Sequence, residues 1–306
     1  MLPAGLKKSA GGCGIVSGEF DVSIINGIRK GIGSKKARSQ PITFLRDPIA
    51  RAASQFEHHL SRERYQDDGA RTRTETLLTL VSPQHCHQLE RRQTERCDEL
   101  TNPLKCRANG WCGIFQNQQV ETLAGAMSFK STKAEGLRRS GDQLLCTARQ
   151  NLASFPFFGI AEHYRSSMCL FFHTFSMGAI FDECCASSET DGGGFKACAI
   201  LDIRTAENSA KDSNRKSSGR GGYISQYLES SDLLAAMYDG NRLDCELYAS
   251  SMLTFARRIR NMEASRGLAA GHFSPGPDTS TSPTAGSLCE RALTQYRLAL
   301  ESGERS

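Results

Sequence analysis

Apolar residues along this chain fall into short runs and helical stripes separated by long polar stretches. The run PITFL, residues 41–45, is compact enough to be a buried strand. It ends at Arg46. Asp47 then stands as an N-cap with Pro48 at the first helical position, the preferred start of a helix. Ile49, Ala52, Ala53, Phe56 and Leu60 recur on one face of that helix, so residues 41–60 are predicted to be strand, tight turn and helix. Residues 143–153 read as helical, Phe155 to Ile160 as a short aromatic strand, and Glu162 to Phe175 as the helix after it. Met168 to Phe181 is the most apolar segment and is predicted to be a buried core helix, being too short to cross a membrane. Another strand is expected at Phe195 to Ile203.

Farther on, residues 224–240 and 241–263 are predicted helices. Asn241 is expected to cap the second, with Asp244 as its capping-box partner. Leu243, Leu247, Met252, Phe255 and Ile259 supply its stripe. Residues 61–112 are polar and read as surface helices and loops. The polar stretch 204–222 reads as a flexible loop, and 264–287 as a disordered linker before a last short helix from Leu288 to Leu300. Strands interleaved with helices indicate an α/β fold with a mainly parallel sheet, whose ligands gather at the carboxyl ends of the strands.

Composition narrows the class. The chain has 306 residues, with 39% apolar residues and a formal charge of +5. It can bury a core, and it is neither a disordered chain nor a polytopic membrane protein. The positive balance suits anionic ligands, and no nucleic-acid motif accompanies it. Twelve cysteines hint at an oxidising compartment. His85, Cys86, His87, Cys97, Cys106 and Cys112 lie close together without a Cys-x-x-Cys pair, so disulfides explain the group better than zinc, and no metal site is assigned.

The segment FLRDPIARAASQF, residues 44–56, carries the chemistry. Arg46 projects from a strand end, and Ser54 follows Asp47 by about two helical turns. A guanidinium fork with a hydroxyl suits a phosphate. By spacing alone, the favoured reading is Arg46 paired with a surface carboxylate and Ser54 as a small helix residue.

The same residues resemble the 3′-phosphate-binding motif of carbohydrate sulfotransferases that use 3′-phosphoadenosine 5′-phosphosulfate (PAPS): Arg46, Asp47, Pro48, Arg51 and Ser54 match it in order. NQQVETLAG (117–125), FFGIAEHYRSSMCLF (157–171) and NRLDCELYASSMLTF (241–255) resemble later segments of the heparan 2-O-sulfotransferase-like branch, also in order. The resemblance implies a P-loop NTPase-like three-layer α/β sandwich, PAPS as co-substrate, a glycan acceptor, and a place on the lumenal side of the Golgi membrane. It implies that Arg46 and Ser54 hold the nucleotide's 3′-phosphate. Arg62, Arg64, Arg71 and Arg73, or Arg138 and Arg139, are candidates to line a cleft for an acidic glycan, with solvated surface charge the default for each. Arg51 is expected to support the helix or sheet, Glu162 and Tyr248 to be satisfied buried polar groups, and Asp244 to be a cap.

The family's phosphosulfate loop has a degenerate counterpart in KKSAGGC, residues 7–13. There Ser9, Gly11 and Gly12 would cradle the donor and Lys8 would meet the charge at the scissile bond. A basic flexible tail explains the same residues equally well. No base is assigned, because no His precedes His58, and His58 and His59 read as surface residues. The implied organisation is a sulfotransferase domain over 1–263, its N-terminal part incomplete, and a linker with a short helix over 264–306. A membrane anchor and an intact loop are expected upstream in the full-length protein. A truncated or catalytically inactive relative that binds nucleotide or glycan is the alternative.

Overall fold

A computed structural model describes residues 40–61, 73–82, 115–125, 140–185, 227, 229–273 and 288–301. The expected loop at 7–13, the cysteine group at 85–112 and the strand at 195–203 lie outside the described residues. The described part is mostly helical around a two-stranded parallel sheet. Its elements are β1 (Ile42–Leu45), α1 (Pro48–Ser61), α2 (Arg73–Val81), α3 (Gln118–Ala124), α4 (Gly141–Ala153) and β2 (Phe157–Ile160). They continue as α5 (Tyr164–Thr174), α6 (Gly178–Cys185), α7 (Ser231–Gly240), α8 (Arg242–Ser265) and α9 (Leu288–Glu301).

The chain divides into two compact units. The described part of the smaller one comprises residues 40–42, 119–125 and 140–156. Its main helix is α4, opened by a capping box in which Ser140 accepts from the Gln143 N–H and the Gln143 side chain accepts from the Ser140 N–H. Leu145, Ala148 and Leu152 form its buried face, and Asn151 Nδ2 donates to the Leu123 carbonyl at 2.7 Å. Cys146, on the opposite face, is an exposed free thiol.

From Thr43 on, the larger unit holds the strand–turn–helix that the sequence predicts at 41–60. Asp47 caps α1 as expected: its Oδ1 accepts from the Ile49 and Ala50 N–H groups at 3.0 and 3.1 Å. Ile49, Ala52, Ala53 and Phe56 are buried in one core cluster with Leu77, Leu80 and Val81 of α2, Phe115, Leu233 and Met237 of α7, and Ala292 of α9. Phe56 meets Phe115 and Tyr227 edge to face. Segment 73–81 is therefore core helix, not the surface element its polar surroundings suggest; Leu78 packs against the same cluster beside the three buried residues.

Three further expectations are corrected. Residues 168–181 do not form one helix: α5 ends at Thr174, Ser176 takes a positive φ of 56°, and α6 starts afresh at Gly178. Cys169 and Cys185 close the pair of helices with a disulfide, and Cys184 beside it is disulfide-bonded too. Residues 266–273 are an ordered loop, because the buried Glu263 carboxylate accepts from the Gly271 and Phe273 N–H groups at 3.1 and 2.6 Å. Asn241 stands at the N-cap of α8 but makes no side-chain cap bond. Instead Asn117 Oδ1, far away in sequence, accepts from the Leu243 and Asp244 N–H groups at 3.0 and 3.2 Å. Asn117 reaches that position with φ at 44°, a left-handed conformation that asparagine tolerates.

Two glycines are required by close approach. A Cβ on Gly159 of β2 would stand 2.5 Å from the Phe44 ring and 2.9 Å from Ser167 Cβ. A Cβ on Gly240 would press into the Val81 carbonyl, which is backbone and cannot rotate aside. Gly240→Ala is expected to cost about 2–3 kcal/mol, read as a lowered urea midpoint; an unchanged midpoint would contradict the packing of α7 on α2. α9 packs on α1 and α7, and Cys289 at its start is bonded to Cys245 of α8. No helix among the described residues is long and apolar enough to cross a membrane.

Candidate functional site

β1 and β2 run parallel, so their carboxyl ends open on the same side. Two short turns leave from there: Arg46–Asp47 after β1, and Ala161–Glu162–His163 after β2. The Ala161 N–H donates to the Leu45 carbonyl at 2.8 Å and extends the ladder to that edge. The turns are then joined by side chains. Glu162 Oε1 accepts from the Asp47 N–H at 2.9 Å and lies 4.0 Å from Arg46 Nε. Glu162 Oε2 accepts the Tyr248 hydroxyl proton at 3.0 Å. Tyr248, buried on α8, matches its expected role. Glu162 is partly accessible, its side chain 34% exposed, so it is partnered without being buried. Arg46 is similarly accessible at 37%.

Electrostatics follow from this packing. Burial pushes the Asp47 carboxyl above its ordinary range; hydrogen bonds from backbone amides oppose the shift, and the nearby Glu162 charge adds to it. Burial, then the Glu162 and Asp47 charges, also raise the Tyr248 phenol, which therefore remains a proton donor to Glu162 at neutral pH.

A second network lies deeper. Arg51, one turn into α1, donates through Nη1 to Gln118 Oε1 and through Nη2 to Asn241 Oδ1 at 3.0 Å. Nη2 also lies 3.6 Å from Asp244 Oδ2, whose side chain is fully buried. Asn241 Oδ1 further accepts from the Asn117 N–H at 3.2 Å, while its Nδ2 donates to the Phe115 and Met237 carbonyls at 2.8 and 3.0 Å. Asp244 is thus an ion-pair partner of Arg51 and not the cap that its position in the sequence suggests. Arg51 supports the fold as expected, by joining α1 to the segment at 117–118 and to the start of α8.

Ser54 sits half-buried on α1, about 10 Å along the helix axis from the Asp47 cap and close to the same side of the helix. Lys8, Ser9, Gly11 and Gly12 lie outside the described residues, as do the side chains of His58 and His59. Sequence reasoning misses the contact of Glu162 with Arg46. It also misses His163, which leaves β2 next to Glu162 with its ring stacked on Phe255. The available signal is the strand-end rule, applied to 157–160 as well as to 41–45. An open groove lined by Glu229, Ser231, Leu234, Arg291, Thr294 and Gln295 shares no residue with this cluster. Among the described residues, no group of three or more His, Cys, Asp or Glu is arranged to hold a metal ion.

No family model, curated protein or solved structure matches the chain.

Proposed function

We propose that this protein is a sulfotransferase that moves a sulfuryl group from PAPS to a carbohydrate hydroxyl. One observation carries the reading. The four segments that resemble the family, far apart in sequence, supply the members of two adjoining networks: Arg46, Asp47 and Arg51 from the first, Asn117 and Gln118 from the second, Glu162 from the third, and Asn241, Asp244 and Tyr248 from the fourth. Their polar groups satisfy one another, as expected if the four segments build one site.

The donor set also suits the nucleotide. Arg46 is an accessible guanidinium at a strand end, and Ser54 lies on the helix that leaves that end; together they would hold the 3′-phosphate. In the reaction the acceptor oxygen attacks sulfur as the bond to the 5′-phosphate breaks. The hydroxyl proton goes to a base, and adenosine 3′,5′-bisphosphate leaves. Lys8, with Ser9, Gly11 and Gly12, would serve the leaving phosphate. The disulfides Cys169–Cys185 and Cys245–Cys289 favour an oxidising lumen such as the Golgi.

The test is transfer of radiolabelled sulfate from PAPS to desulfated glycosaminoglycans. Transfer is expected, and Arg46→Ala should lower kcat/KM for the donor about 10- to 100-fold, the loss of one or two charge-assisted hydrogen bonds. Nucleotide binding without transfer by the folded chain would reduce the reading to that of an inactive binding relative.

A further inference from the structure

We propose that Glu162 is a positioning residue that gives the site its preference for a 3′-phosphorylated nucleotide, by bracing Arg46 at its Nε edge. The inference rests on the sulfotransferase reading of the Arg46 site and extends it to a residue 115 positions beyond Asp47.

An arginine at the open end of a strand carries about 2 kcal/mol of rotamer entropy. To present its fork to a phosphate, it needs a fixed direction. Glu162 supplies one by charge: its Oε1 lies 4.0 Å from Arg46 Nε, an ion pair longer than a hydrogen bond, so the carboxylate draws the guanidinium toward the end of β2. Glu162 is itself held at both oxygens, by the Asp47 N–H at 2.9 Å and by the Tyr248 hydroxyl at 3.0 Å. Both anchors belong to rigid elements. Asp47 is the cap of α1, and Tyr248 is buried on the long helix α8. The brace therefore fixes the end of β1 against the end of β2 and against α8 at once. A carboxylate beside an anion site is unfavourable unless its charge is directed elsewhere, and these two donors and the Arg46 Nε edge absorb it. The effect is specific to one phosphate: a nucleotide without a 3′-phosphate does not use Arg46.

The test compares adenosine 3′,5′-bisphosphate with adenosine 5′-monophosphate, titrated calorimetrically into wild type, Glu162→Gln and Tyr248→Phe. In Glu162→Gln the amide still accepts from Asp47 and donates to the Tyr248 oxygen, so folding, followed by melting temperature, is retained. Its affinity for the bisphosphate should fall about tenfold, comparable to the loss of groups that orient metal ligands from behind. Its affinity for the monophosphate should not change. Tyr248→Phe should move the ratio of the two affinities in the same direction by about threefold, because it removes one of the two anchors. If wild type prefers the bisphosphate and Glu162→Gln keeps that preference, the positioning role is overturned while the site reading stands. A merely structural Glu162, lowering both affinities together, leaves the ratio unchanged and overturns the positioning role equally. If wild type shows no preference, the reading of the Arg46 site itself fails, and the inference falls with it.

Discussion

Arg51→Ala should destabilise the protein by about 3–5 kcal/mol, a large fraction of the roughly 5–15 kcal/mol that holds a domain folded. The guanidinium is the cation opposite Asp244, whose side chain has no exposed surface. Without it, that carboxylate keeps the cost of leaving water and loses the charge that offset it. Asn241 Oδ1 and Gln118 Oε1 lose a donor in the same step. Lysine should not rescue the fold, because a single ammonium cannot reproduce a planar fork that reaches three acceptors in two segments. The paired change Arg51→Met with Asp244→Leu should cost clearly less than the sum of the two single changes, since it removes both charges together. Urea unfolding of the four proteins gives the cycle; additive losses would contradict a direct ion pair.

Removing the Cys245–Cys289 bridge is expected to have a comparable effect. The bond closes a loop with a sequence separation of 44. Chain entropy assigns about 4 kcal/mol to a loop of that size. Both cysteines are buried in the core cluster that α1, α2, α7 and α9 share, so breaking the bond also loosens the helix whose Ala292 fills that core. Cys245→Ala with Cys289→Ala should lower the melting temperature by many degrees and expose α9 to proteolysis before α8. Intact protein heated with reductant should show the same early loss of α9. A double variant melting with wild type would show that α9 is held by packing alone.

The strand–turn–helix at 41–60 is legible in the sequence because its signals are local: an apolar run, an Asp-Pro start and a stripe at helical spacing. β2 and the helices at 141–153 and 242–265 are legible for the same reason. What the sequence hides depends on partners far along the chain. Asn117 caps α8 across a separation of 126 residues, a task for which Asn241 is the obvious local candidate. Asp244 has the position of a capping residue and is an ion-pair partner because α1 brings Arg51 against it. α2 looks like a surface helix because its apolar residues, Leu77, Leu78, Leu80 and Val81, are crowded into its second half behind a polar first turn. Glu263, an acidic residue near the end of a helix, gives no local sign that it orders the loop at 266–273. At the candidate site, Arg46 and Ser54 are readable from one motif. The brace formed by Glu162 and Tyr248 is not, because it requires two strand ends and a helix to meet.

In the proposed site, Arg46, at the carboxyl end of β1, receives the 3′-phosphate of a nucleotide. The most direct measurement is an equilibrium titration of the folded chain and of Arg46→Ala with adenosine 3′,5′-bisphosphate. The account predicts saturable binding at one site in wild type and a loss of about 10- to 100-fold in the variant, with melting temperatures that coincide in the absence of nucleotide. A folded wild-type chain that does not bind, or a variant that binds equally well, would contradict it.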